Sequence, residues 1–264
     1  VVSQSGETAD TLEALRIAKR NNARVLAIVN AVGSSIAREA DDVFYILAGP
    51  EISVASTKAF TAQVVAIELI AFNMAIECGA LSKEEFDTIK SEFYCLDTKI
   101  GQILDESEKI KALAEKYSKS RNVFFIGRGL DYVVSKEGSL KLKEIAYLHS
   151  EAYAAGELKH GPIAMIDDET LVIAILTQEK LFDKTLSNIK EVKARGASVI
   201  AIAMEGNNIA AGEADDIIYI PRAMWSIAPV LAAVPAQLFA YYMAYCLGTD
   251  IDQPRNLAKS VTVE

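Results

Sequence analysis

Histidine and cysteine are scarce in this chain: two histidines (His149, His160) and three cysteines (Cys78, Cys95, Cys246) in 264 residues. Two imidazoles are too few for a poly-histidine metal centre. The cysteines are odd in number, far apart and without a CxxC pair. That excludes a cysteine-rich zinc module and suits a reduced, cytoplasmic protein. No metal and no cofactor are expected. Basic charge is also short, with 27 Lys and Arg against 36 Asp and Glu and a net charge of −9. A nucleic-acid partner, which calls for a basic face, is therefore not expected, and any anionic ligand must be held by a local device. No signal peptide is visible. The longest apolar run, TAQVVAIELIAFNMAIECG, contains glutamates and reads as a buried helix rather than a membrane span, so no membrane partner is expected. Residue one is valine rather than methionine, and the chain is expected to be processed or cut from something longer.

Apolar residues are plentiful, at 51%, and the length is comfortable for two domains with sizeable cores. Short β-branched runs (RVLAIVN, DVFYIL, NVFFIGRG, TLVIAIL, ASVIAIAM, DIIYIP) alternate with helical patterns such as ADTLEALRIAKRNN, KEGSLKLKEIAYLHS and LFDKTLSNIKEVKARG. Strands apolar along their length and separated by helices predict an α/β fold of three-layer αβα modules, each a parallel sheet covered on both faces.

The two halves also match. EADDVFYI begins at Glu39 and EADDIIYI at Glu213, an offset of 213 − 39 = 174. At that offset Thr11-Leu12 meets Thr185-Leu186, Ala27-Ile28 meets Ala201-Ile202, and Ala62-Gln63 meets Ala236-Gln237. An ungapped register over four blocks predicts a duplicated module. Val1 and Val2 then fall on Ile175 and Leu176, in mid-strand, so the first module is expected to be N-terminally truncated, with about 50 residues of it upstream. The expected division is a first module at 1–112, a second at 113–248, and a tail at 249–264.

The stretch VVSQSGETADTLEAL has the form strand, tight turn at Gly6, helix N-terminus. Ligands of open parallel sheets sit at such turns, where backbone N–H groups and the helix dipole favour an anion. Ser3, Ser5 and Thr8 add hydroxyl donors without adding charge, as a phosphate monoester needs. A plain helix cap accounts for the turn equally well. The repeat favours the phosphate: at the same offset the second module reads TQEK, so Ser5 and Gly6 are replaced by Glu179 and Lys180.

Glu137, Lys141 and Glu144 are spaced i, i+4, i+7 on one helix face. A lysine beside a carboxylate supports a positioned base, although spacing alone favours a solvated ion-paired face. His160, in GELKHGP, suits a proton shuttle or a surface cap. His149, near the end of an apolar helical pattern, reads as structural. The tail DIDQPRNLAKSVTVE has no period and by its residues alone reads as a frayed end.

Together, SQSGETADT, GPEISVASTKAFTAQ, EGSLKLKEIAYLHSEAYAAGELKHGP and DQPRNLAKSVTVE resemble the isomerase half of the glucosamine-6-phosphate synthase (glutamine–fructose-6-phosphate transaminase) family, which is built from two sugar-isomerase (SIS) modules. The resemblance runs the length of the chain. It implies that Ser3, Gln4, Ser5 and Thr8 hold the sugar phosphate, and that Val54, Ala55, Ser56 and Ala258 line the sugar. It implies further that Glu144 moves a proton between C1 and C2, assisted by Glu137 and Lys141. His160, supplied by the partner subunit of a homodimer, would help open the ring. Lys259 would form an imine with the open ketose, and the tail would fold over the site. The expected partner is a sugar phosphate: fructose 6-phosphate, glucose 6-phosphate or glucosamine 6-phosphate. Nothing here resembles the glutaminase domain of the full-length family, so glutamine-dependent synthesis is not expected of this chain alone. Two rival readings are a non-catalytic SIS sugar-phosphate sensor and an SIS deaminase or deglycase of amino-sugar phosphates.

Overall fold

In the computed structural model, which describes residues 1–207, 210 and 212–262, the chain forms two compact units. Val1–Phe86 and the tail from Asp252 form one, and Asp87–Ile251 the other. In the first, β1 (Val2–Ser3), β2 (Leu26–Val29) and β3 (Asp42–Tyr45) make a parallel sheet in that order. Val2 pairs with Ile28, and Leu26 with Asp42. Helix α1 (Ala9–Arg20) carries Asp10 in its first turn and Lys19 and Arg20 in its last, as the helix dipole favours. Leu15 of α1 packs with Val25, Ala27, Val29 and with Ile36 of the short α2 (Ser35–Glu39). The long helix α3 (Lys58–Glu77) follows.

The second unit is reached through α4 (Lys83–Tyr94) and contains α5 (Leu96–Asp105) and α6 (Ser107–Tyr117). Its sheet is parallel, in the order β5 (His149–Ala154), β4 (Asn122–Gly127), β6 (Thr170–Leu176), β7 (Ser198–Met204), β8 (Asp216–Ile220). All of β6 is buried, as a central strand covered on both faces must be. Alternate residues of β4 serve opposite layers. Phe124 and Ile126 join Leu186 and Ile189 of α8 (Phe182–Lys193). Phe125 faces α7 (Leu130–Lys141), where Gly138 admits it: a Cβ at 138 would lie 2.5 Å from a Phe125 ring carbon and 3.1 Å from Ala236. Ala236 belongs to α9 (Ala228–Leu247), which packs against α6 and α7.

The predicted α/β fold with parallel sheets is therefore present, and elements follow the 174-residue offset: α1 matches α8, β2 matches β7, and β3 matches β8. Three expectations are corrected. The run at 61–79 is helical but not buried; only Ala59 and Ala66 of α3 are, whereas most of α9 is. Among the described residues α3 has no counterpart of the α7 that covers α9. By length and composition both helices are long and apolar enough to cross a membrane. Second, the division falls after residue 86 rather than 112, because α5 and α6 pack on α9. Third, the predicted helix through His149 stops early. It tightens into a π-turn at Leu142–Ala146, ends at Tyr147 with a φ of 56°, and His149 opens the unforeseen strand β5, exposed to solvent. The tail's residues 263 and 264 lie outside the described residues.

Candidate active site

Within the first unit, β1 delivers Ser3 into the turn that opens α1. Ser3 is buried, and its Oγ accepts the Gly6 N–H at 3.0 Å and lies 3.0 Å from Thr8 Oγ1. Ser5 Oγ accepts the Glu7 N–H at 3.2 Å. Thr8 holds the N-cap position of α1 without a side-chain cap, so the simple capping reading does not describe this turn. Gly6 is required, since its φ is 66° and a Cβ would stand 2.0 Å from Ser34 Oγ. Glu7 turns away to accept the Ser35 N–H at 2.8 Å, and the Ser35 hydroxyl together with that amide holds its carboxyl below the ordinary value.

The tail belongs to the same unit and is docked. Ser260 Oγ lies 3.1 Å from Ser5 Oγ, the Ala9 N–H donates to the Val261 carbonyl at 3.1 Å, and the Val54 N–H donates to the Asp252 carbonyl at 2.9 Å. Pro254 is buried and Ala258 exposed. Lys259 Nζ donates to Glu51 Oε2 at 2.9 Å and to the Ser53 carbonyl at 2.7 Å. Glu51 also accepts from the Ser56 hydroxyl at 3.0 Å and from the Thr57 and Ala59 N–H groups at 2.9 and 3.3 Å. Burial opposes its charge, yet the Thr57 amide, the Lys259 ammonium, the Ser56 hydroxyl and the Ala59 amide together hold its carboxyl below the ordinary range. Ala55, in the same loop, is buried, and Gln4 is half-buried.

In the second unit α7 and the π-turn carry the carboxylates. Lys141 is buried and donates to Glu144 Oε2 at 2.5 Å, with Glu137 Oε1 at 3.7 Å. Glu137 is also buried and accepts from Gln237 Nε2 at 3.1 Å. Burial pushes the Glu137 carboxyl up, and Lys141 and Gln237 only partly counter it. The solvated-face reading is therefore excluded: this is a buried lysine between two carboxylates, with Glu144 partly open to solvent. Glu144 lies in the π-turn that follows α7, three residues beyond the Lys141 it meets, and such local irregularities are common at functional sites. His160 ends the 3-10 turn Ala155–His160, exposed.

The structure thus gathers Ser3, Ser5, Thr8, Ser56 and Lys259 in one unit, and Glu137, Lys141 and Glu144 in the other. Sequence reasoning missed Glu51, Gln237 and Ser260. Glu51 had a signal, an acid six residues ahead of Thr57, which holds the N-cap position of α3. Gln237 was visible as the repeat partner of Gln63 but carried no sign of its role.

The family model described as the SIS domain matches residues 1–72 and 116–247. The glutamine--fructose-6-phosphate aminotransferase [isomerizing] of Clostridium tetani is 57% identical over all of this chain, which covers 43% of that protein. The enzyme of the same name from Thermus thermophilus is 52% identical over 263 residues, 44% of its length. The chain thus spans less than half of these curated relatives. Among solved structures, the C-terminal domain of glucosamine-fructose-6-phosphate aminotransferase from Francisella tularensis superposes with a TM-score of 0.92 at 40% identity, covering 96% of this chain and 71% of that one. A glucosamine-6-phosphate deaminase from Thermotoga maritima gives 0.74 at 25% identity over 98% of this chain and 73% of that one.

Proposed function

This chain belongs to the SIS domain family, and from that premise we propose that it is the sugar-phosphate isomerase core of a glutamine–fructose-6-phosphate aminotransferase. Its substrate is fructose 6-phosphate, and it works in the cytoplasm as a homodimer, with ammonia delivered by a glutaminase domain that the relatives' additional length accommodates. The observation that carries this reading is the docking of the Lys259-bearing tail on the serine-rich turn through Ser5 and Ser260. A phosphate cradle and an amine nucleophile on one rigid unit are what a phosphorylated ketose needs.

The Ser3, Gln4, Ser5 and Thr8 turn grips the phosphate, whose binding energy fixes the hexose while Val54, Ala55, Ser56 and Ala258 line it. His160 of the partner subunit exchanges the protons that open the ring. Lys259, after passing a proton to a base, attacks C2; water leaves and an iminium forms. Ammonia replaces the lysine at C2. Glu144 then takes a proton from C1 and returns it to C2 while the C1 hydroxyl proton passes to the nitrogen, so C1 becomes a carbonyl, the C2 imine becomes an amine, and the ketimine is turned into an amino-aldose. Lys141, donating to Glu144 Oε2, orients its carboxylate for that step, and Glu137 with Gln237 holds Lys141 in place.

The test is Glu144→Gln, followed by fructose 6-phosphate binding and by deuterium entry at C1 and C2 with ammonium as nitrogen donor. Binding should survive and exchange should stop. Undiminished exchange in the variant would remove Glu144 from the chemistry. A chain that binds the sugar phosphate but never exchanges would make it a sensor, and release of ammonia from glucosamine 6-phosphate without the reverse reaction would make it a deaminase.

A further inference from the structure

The five-stranded sheet reverses its winding between β4 and β6, and open parallel sheets take ligands beyond the carboxyl ends of strands at such a switch point. The residues there are Thr177 and Gln178, the 174-offset counterparts of Ser3 and Gln4. Their donors are already engaged. The Thr177 N–H donates to Asp131 Oδ2 at 2.9 Å, the Gln178 N–H to the same oxygen at 3.2 Å, and the Thr177 hydroxyl to Oδ1 at 2.5 Å. Asp131 is 1% exposed. It reaches the crevice because Gly127 lets α7 start against the end of β4: a Cβ at 127 would lie 2.5 Å from the Asp131 backbone. The Gln178 amide group is tied to Thr177 Oγ1 and to the Trp225 carbonyl.

The mouth of this crevice is unsuited to an anion. A cavity of about 240 Å³ beside Thr177 is walled by Glu179, Asp183 and Glu205. The guanidinium of Arg222, the one cation lining it among the described residues, donates to the Glu205 carbonyl at 3.0 Å. The first unit's turn has Ser5 where this one has Glu179.

The geometry points to Asp131 as a built-in anion: its carboxylate fills the oxyanion cradle of the second module and bars external phosphate from it. Two backbone N–H groups and a hydroxyl converging on one carboxylate reproduce what a bound phosphate oxygen receives at such turns. The claim concerns the second unit alone. Only its corollary, one phosphate per chain, rests on the function proposed for the Ser3–Thr8 turn.

Hydrogen exchange of the folded chain tests it, read separately for peptides spanning residues 3–8 and 177–182. In the wild type, inorganic phosphate should leave 177–182 unchanged, and protection there would overturn the proposal. Protection or its absence at 3–8 reports on the sugar-phosphate site instead, so the two readings fail independently. In Asp131→Ala, exchange at 177–182 should quicken roughly ten- to a hundredfold, the factor that follows from losing charge-assisted hydrogen bonds. Formate at constant ionic strength should restore it in the variant and not alter the wild type. If Asp131→Ala folds only when refolded with formate, the proposal stands. If it folds equally with formate or chloride and exchanges like the wild type, the proposal fails. Asp131→Asn, with the same shape but an amide facing the donors, should show the same quickening without formate rescue, and an unchanged rate there would refute the carboxylate's role.

Discussion

Replacing Lys141 by methionine isolates the charge at the centre of the second unit, because methionine keeps the apolar stem and fills similar space. Lys141 and Glu137 are only 4% and 7% exposed, with 3.7 Å between Nζ and Oε1. At an effective dielectric constant of about 20 that separation is worth roughly 4 kcal/mol, in line with the ~3–5 kcal/mol lost when one member of a buried pair is removed. The loss has a ceiling. Glu137 can escape by taking a proton, which relative to its ordinary value of 4.5 costs about 3 kcal/mol at pH 7 and under ~1 kcal/mol at pH 5. Lys141→Met raises the folded pKa of Glu137 further. A raised folded value makes stability complete below the unfolded pKa and lost as pH rises through the folded one. The defect should thus be about 3 kcal/mol at pH 7 and shrink below about 1 kcal/mol at pH 5. Glu144 adds little, being partly open to water. Urea unfolding followed by fluorescence reads the right unit, since Trp225 is the sole tryptophan and lies within 87–251. Adding Glu137→Gln should return the double variant to within about 1 kcal/mol of Glu137→Gln alone and flatten its pH dependence. A Lys141→Met loss that is under ~1 kcal/mol at pH 7, or equal at pH 5 and pH 7, would refute the buried-pair account.

Two further outcomes follow from close contacts. Gly138→Ala places a Cβ 2.5 Å from the Phe125 ring, where α7 meets β4, and should cost about 1–3 kcal/mol in the same unfolding assay; a neutral change would mean that α7 can shift freely. Glu51→Gln removes the carboxylate that holds Lys259 at 2.9 Å while leaving the serine turn intact. Borohydride trapping of fructose 6-phosphate on Lys259, read by mass, should then fall about tenfold, with phosphate affinity changed by less than about threefold; equal trapping would show that Glu51 does not orient the lysine.

Much of the second unit could be read from residue order because its signals are local. Continuous apolar runs mark strands buried on both faces, and the 174-residue repeat fixes which strand answers to which. The serine turn was legible for the same reason: glycine, hydroxyls and a helix start are adjacent in the chain. The break at Tyr147 was not, since helical periodicity continues through LKEIAYLHS and only the pairing of His149–Ala154 with β4 decides for strand. Nor did the apolar composition of α3 reveal that it stays largely uncovered, because burial depends on a neighbour and not on the helix itself.

The sequence by itself determined the parallel α/β modules, their duplication, and the hydroxyl-rich turn between β1 and α1. Tertiary structure alone decided that the period-free tail is anchored through Lys259 to Glu51, that the buried Glu137 and Lys141, steadied by Gln237, meet the partly exposed Glu144, and that Asp131 takes up the second module's N–H groups. The physical reason is separation along the chain. Lys259 and Glu51 stand 208 residues apart, and Glu137 and Gln237 stand 100 apart. A hydrogen bond across such distances leaves no mark in local propensity; it exists only once the packed core has brought donor and acceptor within 3 Å or so.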